Sequence, residues 1–287
     1  MGRFLRQSFC ATVLLVSGTQ AGAQTEHINA VHWAYSTYFG SGWYKVSDAQ
    51  DAFAMRYTPR RALSDARLGE DGSRQWGIEL RFPVTVGLNH FPLDDLPGSV
   101  DPENLANISV TPSIYLTWPA NERWTLRPFA ALGWGTLLNG DESALTYWAG
   151  VKSRYILHEG PLELALLNSL AFVGYSPSEG SREDFWPATS ALEFAHPVFR
   201  DPEDTRKWRL HWHLSYTFFQ NDLDLVSRNL ETEPISDQWE FGLAVSREEA
   251  PISIWRFDFD RLGLSYRFSS DGDLQGIGLG FSSLFDQ

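Results

Sequence analysis

The sequence predicts an all-β chain, a single transmembrane antiparallel up-and-down β-barrel of about twelve strands, and three observations predict it. Apolar and polar residues alternate with period two along most of the chain, which puts them on opposite faces of strands. The alternating runs are ten to fourteen residues long, the length a tilted strand needs to cross a hydrocarbon core, whereas strands of soluble proteins usually run about five or six. The apolar rows also tend to end in aromatic rings, which suit the headgroup level of a bilayer. Composition agrees. Of 287 residues 43% are hydrophobic, with 12 Trp, 19 Phe and 10 Tyr beside two Met and one Cys. A helical membrane protein is excluded, because mean hydropathy is −0.27 and no stretch beyond residue 20 approaches the roughly 20 apolar residues of a spanning helix. Lys and Arg total 23 against 36 Asp and Glu, a formal charge of −13. That argues against nucleic acid as a partner, since little is available to neutralise phosphates.

Residues 1–23 read as an export signal. Arg3 and Arg6 come first, then the apolar run from Phe9 to Val16, then the small-residue exit Ala21, Gly22, Ala23. The run is too short for a membrane anchor and ends in polar residues. Cleavage near Ala23 leaves a single barrel domain over 24–287, takes the formal charge to −15 and removes Cys10. The mature chain then has neither a disulfide nor a thiolate metal site.

Twelve strands are predicted near 28–39, 51–58, 74–88, 106–118, 123–136, 144–157, 161–175, 186–199, 207–220, 237–247, 257–268 and 274–285. In the third, Trp76, Ile78, Leu80 and Phe82 oppose Gly77, Glu79 and Arg81. The fourth sets Ile108, Val110, Ile114, Leu116 and Trp118 against Ser109, Thr111 and Ser113, and the fifth sets Trp124, Leu126, Leu132 and Trp134 against Arg127 and Gly133. The ninth is the clearest: Trp208, Leu210, Trp212, Leu214, Tyr216 and Phe218 oppose Arg209, His211, His213, Ser215 and Thr217. The tenth and eleventh repeat the pattern with Trp239 and Phe241, then Leu264, Tyr266 and Phe268. The second, seventh and eighth are less regular; in the seventh the row begun by Leu162, Leu164 and Leu166 is interrupted from Leu167 on, which leaves a short buried helix as an alternative. A soluble sandwich would alternate similarly, but its dry core could not accept rows of Gly, Ser, Arg, His and Glu without a partner for each.

An even strand number makes short inner turns alternate with longer outer loops. Connections 119–122, 158–160 and 201–206 are short and fall at inner positions, while 90–105, 176–185 and 221–236 are longer, acidic and outer. The connection 59–73 is inner yet long, so either the early count is off by one or it carries structure of its own.

The last strand, with Ile277, Leu279, Phe281 and Phe285 on one parity, looks like the terminal strand by which bacterial outer-membrane proteins are recognised for insertion. Asp286 and Gln287 follow the aromatic on which the family pattern ends. Together with residues 261–268 the tail resembles the barrel domain of autotransporters, particularly the solitary kind without a passenger. The resemblance implies residence in a bacterial outer membrane, contact with its lipid and lipopolysaccharide, and the barrel-assembly machinery as a partner during insertion.

Polar parity places Glu79, Arg81, Arg127, Lys152, Arg154, Arg209, His211, His213, Glu240 and Arg267 in the lumen, where opposed charges either pair and plug it or line a path for small polar solutes. Trp76, Trp118, Trp124, Trp134, Trp208, Trp239 and Phe268 are the expected interface aromatics. His211 and His213 share a face, but no third metal ligand is visible, so neither metal nor cofactor is expected. A rim-located lipid or peptide hydrolase is the alternative to a pore, as is a structural barrel that binds through its acidic loops. Few histidines reach the rim, His90 in an outer loop and His196 near an inner end, and no nucleophile motif surrounds a serine, so no enzyme is expected.

Overall fold

The computed structural model describes residues 38–46, 50–89, 105–138, 141–178, 182–200, 207–226, 232–248, 251–254 and 257–286. The expected export signal and most of the expected first strand lie outside the described residues. Among those described, twelve antiparallel staves form a closed ring. They are β1 (Gly42–Val46), β2 (Gln50–Tyr57 continued by Arg60–Ser64), β3 (Gly77–Arg81 and Val84–Asn89) and β4 (Leu105–Val110 and Ser113–Pro119). Then come β5 (Trp124–Leu137), β6 (Ser143–His158), β7 (Glu163–Pro177) and β8 (Pro187–Arg200). The last four are β9 (Lys207–Val226), β10 (Thr232–Arg247), β11 (Arg261–Phe268) and β12 (Leu274–Gly280). Each stave pairs with the next, and β12 closes the ring on β1, with Ile277 opposite Trp43. No described helix is long and apolar enough to cross a membrane, which says nothing of crossing by strands.

Three staves are interrupted at proline, which has no N–H to give the ladder. The breaks at Pro59, Pro83 and Pro112 lie side by side, and each proline carbonyl accepts from the neighbouring stave: Phe82 N at 2.9 Å, Thr111 N at 3.0 Å and Leu132 N at 3.1 Å. The ladder therefore runs through the break, and the halves act as single staves.

Facing follows the sequence parity. Outward residues in direct cross-strand register form one apolar row, Trp124, Tyr155, Leu166, Leu192, Leu214, Phe241, Tyr266 and Ile277. It continues through Trp43, Phe53 and Leu88 to cover eleven of the staves. Leu132 is 61% exposed and Leu264 58%, high values for large apolar side chains that lie in one contiguous belt.

Among the described residues the observed staves depart from the expected bounds at several points, and the connection expected at 221–236 is largely strand, since β9 runs to Val226 and β10 begins at Thr232. The first described stave is Gly42–Val46; of the expected 28–39 only Tyr38 and Phe39 are described, and they sit inside the lumen, with Gly40 turning the chain at φ of 82°. The long 59–73 connection carries structure of its own: β2 continues through Arg60–Ser64, and Arg67–Leu68 pairs with Arg74–Gln75 in a small hairpin. The seventh stave is a strand throughout, as expected, and the helical alternative falls away. Its irregularity arises because Leu167 and Val173 are apolar residues on the inward face, both buried. The last stave ends at Gly280, not 285.

Candidate functional site

All ten residues expected in the lumen fall on the inward parity, and most are engaged there in ion pairs. Nearest the outer loops, the lumen is filled by the segment before β1. Tyr38 packs edge-on against Phe185 and Phe219, both at 5.6 Å between ring centroids. The carbonyl of Phe39 accepts from Arg267 Nη1 and from Tyr44 Oη, each at 2.7 Å. Four adjacent staves build this clamp. Glu240 on β10 stands directly opposite Arg267 on β11, with Nε of Arg267 3.0 Å from Oε2 of Glu240. Arg267 in turn faces Gly276 on β12, and Gly276 faces Tyr44 on β1. A Cβ at Gly276 would come within 2.9 Å of the Tyr44 ring, so the missing side chain is what lets the phenol lie across β12 and reach Phe39.

Nearest the short turns, the chain after β12 folds back into the lumen. Phe285 is buried against Ala165, Leu167 and Ala191, and the Arg127 guanidinium lies over its ring, 4.6 Å from the centroid. The Asp286 carboxylate pairs with Arg127 and lies 3.5 Å from Arg81 Nη2, while Arg81 Nη1 donates to its backbone carbonyl. Ser283 Oγ donates to the carboxylate at 2.6 Å and accepts from the Asp286 N–H at 3.1 Å. Arg81 is further tied to Glu79 at 2.5 Å.

A band of charge closes the same end. Arg154 pairs with Glu163, Arg209 reaches Glu163 at 3.7 Å and Glu248 at 3.5 Å, and Arg261 reaches Glu193 at 2.9 Å. The last pair bridges two intervening staves, so it spans the lumen rather than following its wall. His211 and His213 do not converge. His211 Nε2 shares a hydrogen bond with Ser246 Oγ at 2.7 Å, and His213 lies 3.5 Å from Glu240.

Among the expected insertion residues, Ile277 faces outward and Phe281 packs on Phe259 at 5.1 Å. Phe285 does not continue their row; it is inside, because the strand stops at Gly280 and Asp286 is drawn to Arg81 and Arg127. Of the interface aromatics, Trp76, Trp124, Trp134 and Phe268 are exposed on the outer face, Trp76 stacks on Trp118, Arg247 covers Trp208, and Trp239 packs on Tyr216. Sequence reasoning passed over Arg56, Glu193, Arg261 and Asp286. The first three carry the same parity signal as the residues it selected; Asp286 carries none, since its partners are fixed only by the fold-back.

An apolar outer belt around a charged and occupied interior defines an outer-membrane-type β-barrel. No family model matches the chain and no curated protein matches it. Among solved structures the fold is similar to the β domain of the Bordetella autotransporter BrkA, at a TM-score of 0.50 and 12% identity over 85% of this chain and 96% of that one. Two further structures match at 12% identity. The transport unit of the autotransporter AIDA-I from Escherichia coli has a TM-score of 0.47, covering 84% of this chain and 88% of that one. A bacterial polysaccharide outer membrane secretin has 0.38, covering 83% and 86%. By its similarity to the BrkA β domain the fold is autotransporter-like, a closed twelve-stranded antiparallel barrel.

Proposed function

We propose that the protein is an integral barrel of a bacterial outer membrane, autotransporter-translocator-like, whose narrow lumen is kept shut by its own chain and passes small polar solutes only when the segment after β12 is displaced. The docking of Phe285 and Asp286 onto β3, β5, β7 and β8 carries this reading, because it fills the lumen with groups that could leave together. The short turns lie on the periplasmic side and the acidic loops face outward toward lipopolysaccharide. Lipid covers the apolar belt, and the barrel-assembly machinery inserts the chain. The role is non-enzymatic.

Planar-bilayer recording tests it. Wild-type protein, shown to be closed by heat-modifiable gel migration, should be silent for long periods. The Phe285→Ala, Asp286→Asn double variant should give discrete single-channel steps. Steady large conductance from the wild type, or silence from a folded double variant, would overturn the closed-pore reading.

A further inference from the structure

Where the ring closes, the β1 ladder stops short of the turn end. Its rungs nearest the short turns are Gly42 with Ala54 on β2 and Gly42 with Gly278 on β12, and the chain preceding them turns into the lumen at Gly40. Ser41 ties the two edges once more: its carbonyl accepts from Leu279 N at 2.8 Å, and its hydroxyl accepts from Arg56 N at 2.8 Å. β2 itself runs on to Ser64, and β11 starts from Arg261, both further toward the short turns. There Arg60 pairs with Asp260, just ahead of β11, and rejoins the edges. A window in the wall lies between the Ser41 tie and this ion pair.

The cavity behind it shows that the window is open. Between the two segments that fill its ends the lumen keeps about 550 Å³, inside the range of roughly 300–1,000 Å³ typical of ligand sites. On β8, β9 and β10 alternate residues line this space, Thr189 and Ala191, Ser215 and Thr217, Gln238 and Glu240, as one face of an unbroken wall must. At the window consecutive residues line it, Met55 to Thr58 on one edge and Leu279 to Ser282 on the other, so both faces of the edge strands border one space. Met55 has the outward parity of Phe53 and is 46% exposed. Across the lumen, β7 lies six staves round the ring from β1 and turns Leu167 and Ala171 inward, with Ala191 beside them on β8. All three are buried and line the cavity. Such a wall gains by covering itself with hydrocarbon rather than water.

We infer that the lumen opens sideways through this window and that the cavity takes a hydrocarbon chain of a membrane lipid, which passes between Met55 and Leu279 and lies along Phe129 and Leu167. The position of the window selects the occupant. It falls on β2 between the outward Phe53 and Leu63, which is 54% exposed, and is therefore continuous with the apolar belt; whatever covers the belt stands at its mouth. The inference rests on the membrane residence proposed above and not on whether the barrel conducts.

Photocrosslinking tests it in vesicles of phosphatidylethanolamine and phosphatidylglycerol, doped with a phosphatidylethanolamine that carries a diazirine midway along one acyl chain. Adducts mapped by mass spectrometry should fall on outward residues such as Leu264 and also on the inward Phe129 and Leu167. Gly280→Trp places a ring in the window, where a Cβ would meet nothing nearer than 3.8 Å, and should cut the inward adducts at least tenfold while leaving the outward ones unchanged. Met55→Trp, on the opposite edge, serves if that variant fails to fold, and the comparison of inward with outward adducts on the wild type needs no variant. Outward adducts without inward ones overturn the inference and leave membrane residence standing. Absence of both overturns the membrane reading along with it. Inward adducts that persist undiminished in a folded Trp variant mean entry from an end of the barrel and overturn the window.

Discussion

Arg267 joins three things that nothing else in the sequence connects: the Glu240 carboxylate, the Phe39 carbonyl and, through that carbonyl, the Tyr44 hydroxyl. Both ionic partners are almost wholly shielded, with side chains 10% and 7% exposed. Removing one member of such a pair leaves the other charge buried without compensation, at a cost of about 3–5 kcal/mol. Arg267→Met should therefore lower stability by that order in urea unfolding from lipid vesicles, and adding Glu240→Gln should recover a large part of the loss. Recovery below experimental error would show that the pair is not what holds the clamp. Asp286 belongs to the same scale. Burial pushes its carboxyl up, but Arg127, Ser283 and Arg81 pull it down further, to well below the usual carboxylate range. A depressed folded value contributes docking that is complete above the ordinary value of about 3.9 and lost only as pH falls through the lowered one. A nitroxide at Ser282→Cys should thus be as immobilised at pH 5 as at pH 7, and mobile at both in the Asp286→Asn background. Release between pH 7 and 5 in the parent would contradict the geometry.

At the scale of the stave, parity decides what a substitution costs. Leu264 on β11 stands between Leu243 on β10 and Leu279 on β12 in the outward row. Arginine there meets hydrocarbon, and a charged side chain near the midplane of a barrel costs about 2–4 kcal/mol. Leu264→Arg should show that loss in vesicle unfolding, while Ser169→Ala, on the inward face of β7 at the lumen wall, should change stability by less than about 0.5 kcal/mol. Similar losses at both positions would refute the assignment of faces. β7 shows where periodicity misleads. Its outward row is intact in Leu164, Leu166, Leu170 and Phe172, but Leu167 and Val173 are equally apolar because they meet Phe285 or the inner aromatic cluster. Alternation is legible only when one face of a strand is wet. The same reason hid the true end of β12: Phe285 has the parity of an outward residue and the surroundings of a core one.

Across the whole molecule charge is distributed by end. The longer connections 90–105, 176–185 and 221–236 hold 11 of the 36 acids, with Asp94, Asp95, Asp101 and Glu103 in a single one, whereas the short turns mix Arg and Glu in pairs such as Arg123 and Glu159, 3.8 Å apart. An epitope placed in the connection 90–104 should be labelled on intact cells, and one placed in 119–123 only after the outer membrane is permeabilised. The opposite result would invert the orientation, and labelling of both on intact cells would remove the protein from the membrane.

Strand number, facing and the aromatic-ended outer rows were fixed by the sequence alone, because a period of two needs no knowledge of neighbours: each residue's solvent is encoded in its own polarity. The same parity puts Arg56, Glu193 and Arg261 on the inward face beside the residues it was used to select. What it could not supply is who meets whom inside. Glu193 with Arg261, Asp286 with Arg81 and Arg127, and Phe39 with Arg267 are separated by tens to hundreds of residues and brought together by cross-strand register and by segments that enter the lumen from its two ends. Register depends on the closure of all twelve staves at once. Whether the interior is open or filled is therefore a property of the closed ring, decided only in three dimensions.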